Sequence, residues 1–246
     1  LLPGAAGGNK TRKLEFCLAD ALKKSADAII TCGAVQSNHC RLTLAWSVKE
    51  GLDCHLLLEE RVPGSYKEDA SGNNFLYQLL GVNSIEVVKG GTDMTAAMAD
   101  KAERLKAKGK RPYIIPGGAS NATGALGYAA CALETLTQLN RMQLNIDHIV
   151  LPSGSAGTHA GMAAGMTGMN ADIPISGINV SREKIVQEEL VHGLADETAA
   201  KLGIKTGVER DAIVCFDEYV GPGYSIPTDS MREAVELFAR TEAILL

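Results

Sequence analysis

The sequence predicts an α/β protein built on open parallel sheets with helices on both faces. Short apolar runs alternate along the chain with longer segments of helical periodicity. This alternation is typical of parallel strands joined by helical crossovers. Most of the apolar runs are continuous rather than alternating, which indicates strands that are buried on both faces. The length of 246 residues allows a substantial core without disulfide bonds.

Seven strands are predicted, each a short apolar run. In chain order they are Ala28–Cys32, Cys54–Leu58, Ile85–Val88, Tyr113–Ile115, His148–Leu151, Ile175–Val180 and Ile213–Phe216. The seven predicted helices are Lys13–Lys24, Asn38–Glu50, Met94–Lys108, Thr123–Leu139, Thr158–Met166, Arg182–Leu190 and Ser230–Leu246. Asp93 occupies an N-cap position before the third helix. Thr228 and Asp229 are N-cap candidates before the last helix.

Composition excludes several function classes. The chain has 24 Lys+Arg and 29 Asp+Glu, a net charge of −5, so no nucleic acid or anionic membrane is expected as a partner. No apolar run approaches the ~18 residues of a spanning helix, and the first residues lack the features of a signal peptide. The six cysteines form no C-x-x-C pair, so no metal site is expected. Free thiols are typical of a reducing compartment, which predicts a cytoplasmic protein.

A lysine follows a double glycine directly before the first predicted helix. The segment is Gly7-Gly8-Asn9-Lys10-Thr11-Arg12-Lys13. A lysine amine forms a Schiff base with a carbonyl compound when burial or a neighbouring charge displaces its proton. Most lysines near helix starts are solvated surface groups, so this segment alone leaves both interpretations open.

A run of small residues opens a later helix, directly after an apolar strand. It reads Ser153-Gly154-Ser155-Ala156-Gly157-Thr158-His159-Ala160-Gly161. Backbone N–H groups of such a run converge on an anion at the helix N-terminus. The run matches neither the dinucleotide motif nor Walker A, so it fits a single phosphate better. Glycines at 157, 161 and 165 equally fit close helix packing, which remains an alternative.

Four consecutive polar residues, Gln36 to His39, follow the first strand and open a helix. Ligands in α/β proteins bind at such carboxyl ends of strands. Ser37 and Asn38 are good N-cap residues, but capping accounts for only one of the four. The free N–H groups of this helix start could hold a carboxylate. Tyr224 lies in the Gly-Pro loop 221–227, either facing a cleft or packed on the surface.

A phosphate cradle, a lysine in a glycine loop and a carboxylate site together suit pyridoxal phosphate (PLP) acting on an amino acid. The chain resembles the fold-type II PLP enzymes of the 1-aminocyclopropane-1-carboxylate (ACC) deaminase and D-cysteine desulfhydrase family. The matching motifs are residues 7–16, 36–39, 115–121 with 124–128, and 153–161. The resemblance covers essentially the whole chain.

The resemblance implies a tryptophan synthase β-like fold of two domains and a homodimer. The larger, PLP-binding domain would comprise residues 1–12 and 122–246, and the smaller domain residues 13–121. Lys10 would hold PLP covalently and then act as the acid/base. Its phosphate would be bound by Ser155, Ala156, Gly157 and Thr158, with Lys13 nearby.

The resemblance also implies how an amino-acid substrate is bound. Asn38 would contact the PLP ring oxygen and the substrate, while Ser37 and His39 would bind the substrate carboxylate. Tyr224 would face the cofactor, which makes Lys10, Ser37 and Tyr224 the expected catalytic residues. Family members extend further at both ends, and the segment after residue 246 would supply a second active-site tyrosine and the partner of the pyridine nitrogen.

Residues 58–66 and 70–74 are similar to those of L-cysteate sulfo-lyases. This implies β-elimination from L-cysteate to sulfite, pyruvate and ammonium, with Arg61, Ser71 and Asn73 as candidates for the sulfonate site. Arg61 could equally be a solvated loop residue. The alternatives are D-cysteine desulfhydrase, then ACC deaminase, whose members usually carry glutamine at the position of His39. A PLP-binding protein without lyase activity is the non-enzyme alternative.

Overall fold

The computed structural model describes residues 7–223 and 226–244, so the predicted site residue Tyr224 lies outside the described residues. All seven predicted strands are present: β1 (Ala28–Ala34), β2 (Asp53–Glu60), β3 (Ser84–Lys89), β4 (Pro112–Ile115), β5 (Ile149–Ser153), β6 (Ile175–Asn179) and β7 (Val214–Phe216). The helices are α1 (Lys10–Lys23), α2 (Asn38–Lys49), α3 (Asn73–Leu79), α4 (Met94–Lys106), α5 (Ala122–Met142), α6 (Gly157–Gly168), α7 (Lys184–Leu202) and α8 (Asp229–Glu242).

The strands form two parallel sheets, which confirms the predicted fold class. One sheet has the order β3-β2-β1-β4 and the other β5-β6-β7. At the centre of the first sheet, Thr31 of β1 is paired with Leu56 of β2 and Ile115 of β4. The carboxyl end of β1 leads into α2, and that of β5 leads into α6. Parallel topology therefore brings the two predicted polar helix starts to strand carboxyl ends, where ligands bind.

The core follows from the apolar faces of these elements. Strands β1 and β2 are buried along most of their length, as the continuous apolar runs predict. Helix α5 packs against α1, α6 and α7. The predicted domain boundary at residues 12–13 falls inside α1, and the boundary at 121–122 falls where α5 begins. In the described part of the chain, no helix is long and apolar enough to cross a membrane.

Three helix predictions need correction. Helix α3 was not predicted, because its seven residues carry no periodic signal; its Tyr77 is buried in the core and holds the helix there. Helix α1 begins at Lys10 rather than Lys13, so both lysines are helical. Helix α7 continues past the predicted end at Leu190 to Leu202, because buried residues of its second half, such as Leu194, pack into the core.

The glycines of α6 divide between two roles. A Cβ at Gly161 would collide with the carbonyl oxygen of Ala125, and one at Gly165 would lie 2.9 Å from the Cα of Ala129, so both glycines allow α6 to pack closely on α5. The close-packing interpretation is thus correct for these two positions. A Cβ at Gly157 would instead meet two polar side chains of the site described below.

Substitution of Gly161 by alanine is expected to destabilise the protein by about 1–3 kcal/mol, because the new methyl group forces α6 away from α5. Gly193→Ala is the matched control, since outside its own helix turn no atom of the described residues lies within 4 Å of its added Cβ. In that exposed helix interior, alanine should stabilise the fold by up to about 1 kcal/mol. Urea unfolding of both variants tests this expectation, and equal stability of the two would contradict it.

Candidate active site

A cavity of about 730 Å³ lies between the carboxyl ends of β1 and β5. The start of α1, the start of α2 and the turn before α6 all contribute to its wall. The basic groups Lys10, Arg61 and Arg182 line it together with the acidic group of Glu59. The excess of positive charge favours anionic ligands.

Lys10 is placed in the cavity by the turn before α1. Gly8 has a φ of 139°, which lets the chain turn tightly into the helix. The Lys10 amine donates to Asn9 Oδ1 at 3.1 Å. Burial lowers the pKa of the Lys10 amine, because the charged form loses hydration. A lysine with a lowered pKa is a better nucleophile and base at neutral pH.

Tyr128 ties this turn to helix α6. Its hydroxyl donates to the backbone carbonyl of Asn9 at 3.2 Å. The Thr158 side chain hydrogen-bonds to Tyr128 as well, which by itself favours the phenolate and so lowers the pKa. The Tyr128 pKa is nevertheless raised, because burial has the larger effect. The lysine turn and the start of α6 therefore meet through one aromatic side chain.

Lys13 lies one helical turn beyond Lys10 and is 0% exposed. Its Nζ donates to Ser120 Oγ at 3.2 Å, and among the described residues no carboxylate forms an ion pair with it. Desolvation, followed by the charge of Lys10, lowers the Lys13 pKa to about 7. A buried ammonium without a counter-charge is unfavourable, so this position favours a bound anion.

Ser120 joins Lys13 to the start of α6. Its Oγ donates to Ser155 Oγ at 2.8 Å and accepts from the backbone N–H of Gly157 at 3.3 Å. Ala156, directly before the helix, has a φ of 70° that is strained for a residue with a Cβ. A Cβ at Gly157 would lie 2.8 Å from Ser120 Oγ and 3.0 Å from Lys13 Nζ.

This group of atoms fits a phosphate. It combines a buried amine, a serine hydroxyl and the free N–H groups of a helix start, with no side chain at Gly157 to fill the space beside them. The phosphate interpretation is therefore supported at Gly157, while Gly161 and Gly165 serve packing. The fit to PLP depends on this observation together with the nearby Lys10.

The start of α2 supplies hydrogen-bond donors. Ser37 caps the helix by accepting from the Cys40 N–H at 3.2 Å, and its carbonyl accepts from the Tyr77 hydroxyl at 2.9 Å. Asn38 Oδ1 accepts from Asn73 Nδ2 at 3.0 Å. This bond fixes the orientation of the Asn38 amide. Its nitrogen is then the group that can donate to a ligand oxygen.

The three candidate sulfonate ligands differ in their surroundings. Arg61 lines the cavity, and its Nε donates to Glu59 Oε2 at 2.7 Å. Ser71 and Asn73 are not among the described residues that line the cavity. Asn73 Nδ2 is used in bonds to the Gln36 carbonyl, at 2.7 Å, and to Asn38. Arg182, which the sequence analysis did not select, also lines the cavity and donates to the Gly154 carbonyl at 2.7 Å.

Most of the predicted site residues lie together. Those lining the cavity are Lys10, Ser37, Asn38, His39, Ser155, Ala156 and Thr158. Lys13 and Gly157 both hydrogen-bond to Ser120 and lie behind the residues that line the cavity. Ser120 was not predicted as a site residue, although it belongs to the motif 115–121 that supports the resemblance. Thr31, which contacts His39, was not predicted either.

Comparisons with known proteins show the family and the fold of the chain. The family model described as "Pyridoxal-phosphate dependent enzyme" matches residues 2–246. The crystal structure of an ACC deaminase homologue is 35% identical, with a TM-score of 0.85 over 98% of this chain and 70% of that one. O-ureido-L-serine synthase is 17% identical, with a TM-score of 0.67 over 98% of this chain and 71% of its own.

A hydrogen sulfide-producing enzyme from Fusobacterium nucleatum is also similar. It is 18% identical, with a TM-score of 0.54 over 71% of this chain and 50% of its own. At these identities the synthase and the sulfide-producing enzyme show a shared fold and nothing more.

Proposed function

Because the chain belongs to the pyridoxal-phosphate dependent enzymes of fold type II, in the ACC deaminase and desulfhydrase family, we propose that it is an L-cysteate sulfo-lyase. The observation that carries this choice is the net positive charge of the cavity, where Arg182 and Arg61, which is paired with Glu59, are additional to Lys10. L-cysteate carries a sulfonate as well as a carboxylate, whereas D-cysteine and ACC each carry a carboxylate as their one permanently charged anionic group. A two-domain division, a homodimer and a cytoplasmic location are part of this proposal.

Residues that line the cavity, and others directly behind its wall, would hold PLP at three points. Lys13, Ser120 and the N-terminus of α6 would bind the phosphate, and Lys10 would attach the cofactor covalently. The Asn38 amide nitrogen would donate to the ring oxygen. When bound, PLP supplies an electron sink that stabilises negative charge at the substrate α-carbon.

The chain's own groups would carry the proton and the anions. Ser37 and the N–H groups at the start of α2 would bind the substrate carboxylate. The Lys10 amine would take the proton from the substrate α-carbon. The electrons of the broken C–H bond would form the double bond between the α- and β-carbons. The electron pair of the C–S bond would leave with sulfite. Arg61 would hold the sulfonate until it departs.

The test is to measure sulfite from L-cysteate, sulfide from D-cysteine and ammonium from ACC with the PLP-loaded protein. We expect kcat/KM to be highest for L-cysteate, because only the sulfonate uses the added cation. Higher turnover of D-cysteine would instead make the protein a desulfhydrase. Bound PLP without turnover of any of the three would favour a binding protein.

Arg61→Gln separates sulfonate recognition from catalysis. Loss of one charge-assisted contact should raise KM for L-cysteate by about 10–100-fold and leave D-cysteine turnover little changed. Arg104→Gln is the control, since Arg104 pairs with Glu86 on the surface of α4 and β3. An unchanged KM for L-cysteate in Arg61→Gln would contradict this role.

A further inference from the structure

His39 is buried and its two ring nitrogens have different surroundings. It is 5% exposed and lines the cavity at the start of α2. Nε2 lies 2.8 Å from the hydroxyl oxygen of Thr31, in the neighbouring strand β1. Nδ1 is buried and has no hydrogen-bond partner among the described residues.

The Thr31 hydroxyl determines which ring nitrogen carries the proton. Thr31 is 0% exposed, and its Oγ1 donates to the carbonyl of Ile115 at 2.8 Å. A hydroxyl has one proton, so Oγ1 can only accept from His39. His39 must therefore donate through Nε2–H, which leaves Nδ1 as a bare lone pair in the neutral ring.

The charges around the ring favour the neutral form. Burial, and after it the nearby charges of Lys10 and Lys13, lower the His39 pKa to about 3. A neutral ring with Nε2 protonated cannot donate from Nδ1, and its lone pair repels a carboxylate. The ring is therefore suited to an N–H donor and not to the substrate carboxylate, which differs from the role implied by sequence resemblance.

We infer that Thr31 locks His39 in the Nε2–H tautomer and that Nδ1 accepts a hydrogen bond from a primary ammonium group in the cavity. Two amines can supply this group, the Lys10 side chain while it is not bound to the cofactor and the amine of an amino-acid substrate. The amine is the only hydrogen-bond donor of the L-cysteate zwitterion. Thr31 is a positioning residue in this arrangement, and the identity of the amino acid, though not the tautomer, rests on the proposed function.

Nitrogen-15 NMR of the histidine-labelled holoenzyme at neutral pH reads the tautomer directly. The chain has five histidines, and His39→Gln identifies the His39 signals by their loss. We expect Nε2 to resonate as a protonated ring nitrogen and Nδ1 as an unprotonated one. A protonated Nδ1 in the unliganded enzyme would overturn the inference, whichever substrate the enzyme uses.

Two arms separate the sources of the ammonium group. If Lys10 is the donor, Lys10→Ala shifts the Nδ1 signal of the cofactor-free protein, in which the Lys10 amine is free. If the amino acid is the donor, added L-cysteate shifts the same signal in the Lys10→Ala protein. A signal that responds to neither change would overturn the acceptor role, while the tautomer measurement stands by itself.

Thr31→Val removes the lock and keeps the shape of the side chain. We expect a mixture of His39 tautomers and a fall in kcat/KM of about tenfold, the usual effect of one hydrogen bond. Thr31→Ser retains the hydroxyl and should restore both readouts. Thr198→Val is the control, because the hydroxyl of this buried threonine donates within its own helix, to the Leu194 carbonyl at 2.7 Å. An unchanged tautomer in Thr31→Val would contradict the lock.

Discussion

Replacement of Lys10 by alanine is expected to reduce kcat/KM by about 10³-fold or more, because one amine serves as both covalent anchor and base. The visible absorbance of lysine-bound PLP should be lost as well. The expectation depends on the position of Lys10 in the cavity wall and on the burial that lowers its amine pKa. Absorbance spectroscopy and steady-state kinetics of the PLP-loaded protein measure both effects.

Lys23→Ala is the matched control for this substitution. Lys23 lies in the same helix, α1, and is exposed at its end. Its removal should leave the visible spectrum and kcat/KM unchanged. An unchanged spectrum in Lys10→Ala would show that another lysine carries the cofactor.

Replacement of Lys13 by methionine is expected to weaken PLP affinity by about 10–100-fold, because the phosphate loses a charge-assisted hydrogen bond. Lys10 remains in this variant, so kcat at saturating PLP should fall much less than in Lys10→Ala. Titration of the cofactor-free protein with PLP measures the affinity. Unchanged affinity would remove Lys13 from the phosphate site.

The same variant should change how stability depends on pH without cofactor. The Lys13 pKa is about 7 in the folded protein and 10.5 ordinarily, since burial penalises the ammonium. Between these values the unfolded chain binds the extra proton, so the free energy of unfolding should rise with pH by up to about 1.4 kcal/mol per unit. Lys13→Met should show a smaller rise than Lys23→Met, because the buried Lys10 still contributes to it in both variants. Identical pH profiles in the two variants would contradict the burial of an unpaired ammonium.

The fold could be predicted from the sequence because its signals are local. Short apolar runs, most of them continuous, identified all seven strands, and side-chain caps such as Asp93, which accepts from the N–H groups of Thr95 and Ala96, identified helix starts. Helix α3 escaped because tertiary contacts stabilise it: the Tyr77 hydroxyl donates to the Ser37 carbonyl, 40 residues away. A contact between residues so far apart in the chain leaves no local sequence pattern from which it could be predicted.

The site was predictable where one motif supplies its parts. Lys10 and the run before α6 were recognisable, and they lie at one cavity. Ser120 lies 107 residues from Lys13 in the chain, and Thr31 contacts His39 only because β1 places its hydroxyl beneath α2. Partners of this kind depend on packing, so the bare Nδ1 of His39 becomes visible only in the structure.

In the proposed site, Lys10 and Lys13, one helical turn apart, divide the binding of PLP into a covalent and an electrostatic part. Borohydride reduction of the PLP-loaded protein, followed by peptide mass mapping, tests it most directly, because reduction fixes the cofactor to the lysine that holds it. We expect the added mass of the reduced cofactor on Lys10 and none on Lys13. Added mass on Lys13, or on a lysine outside the cavity, would contradict it.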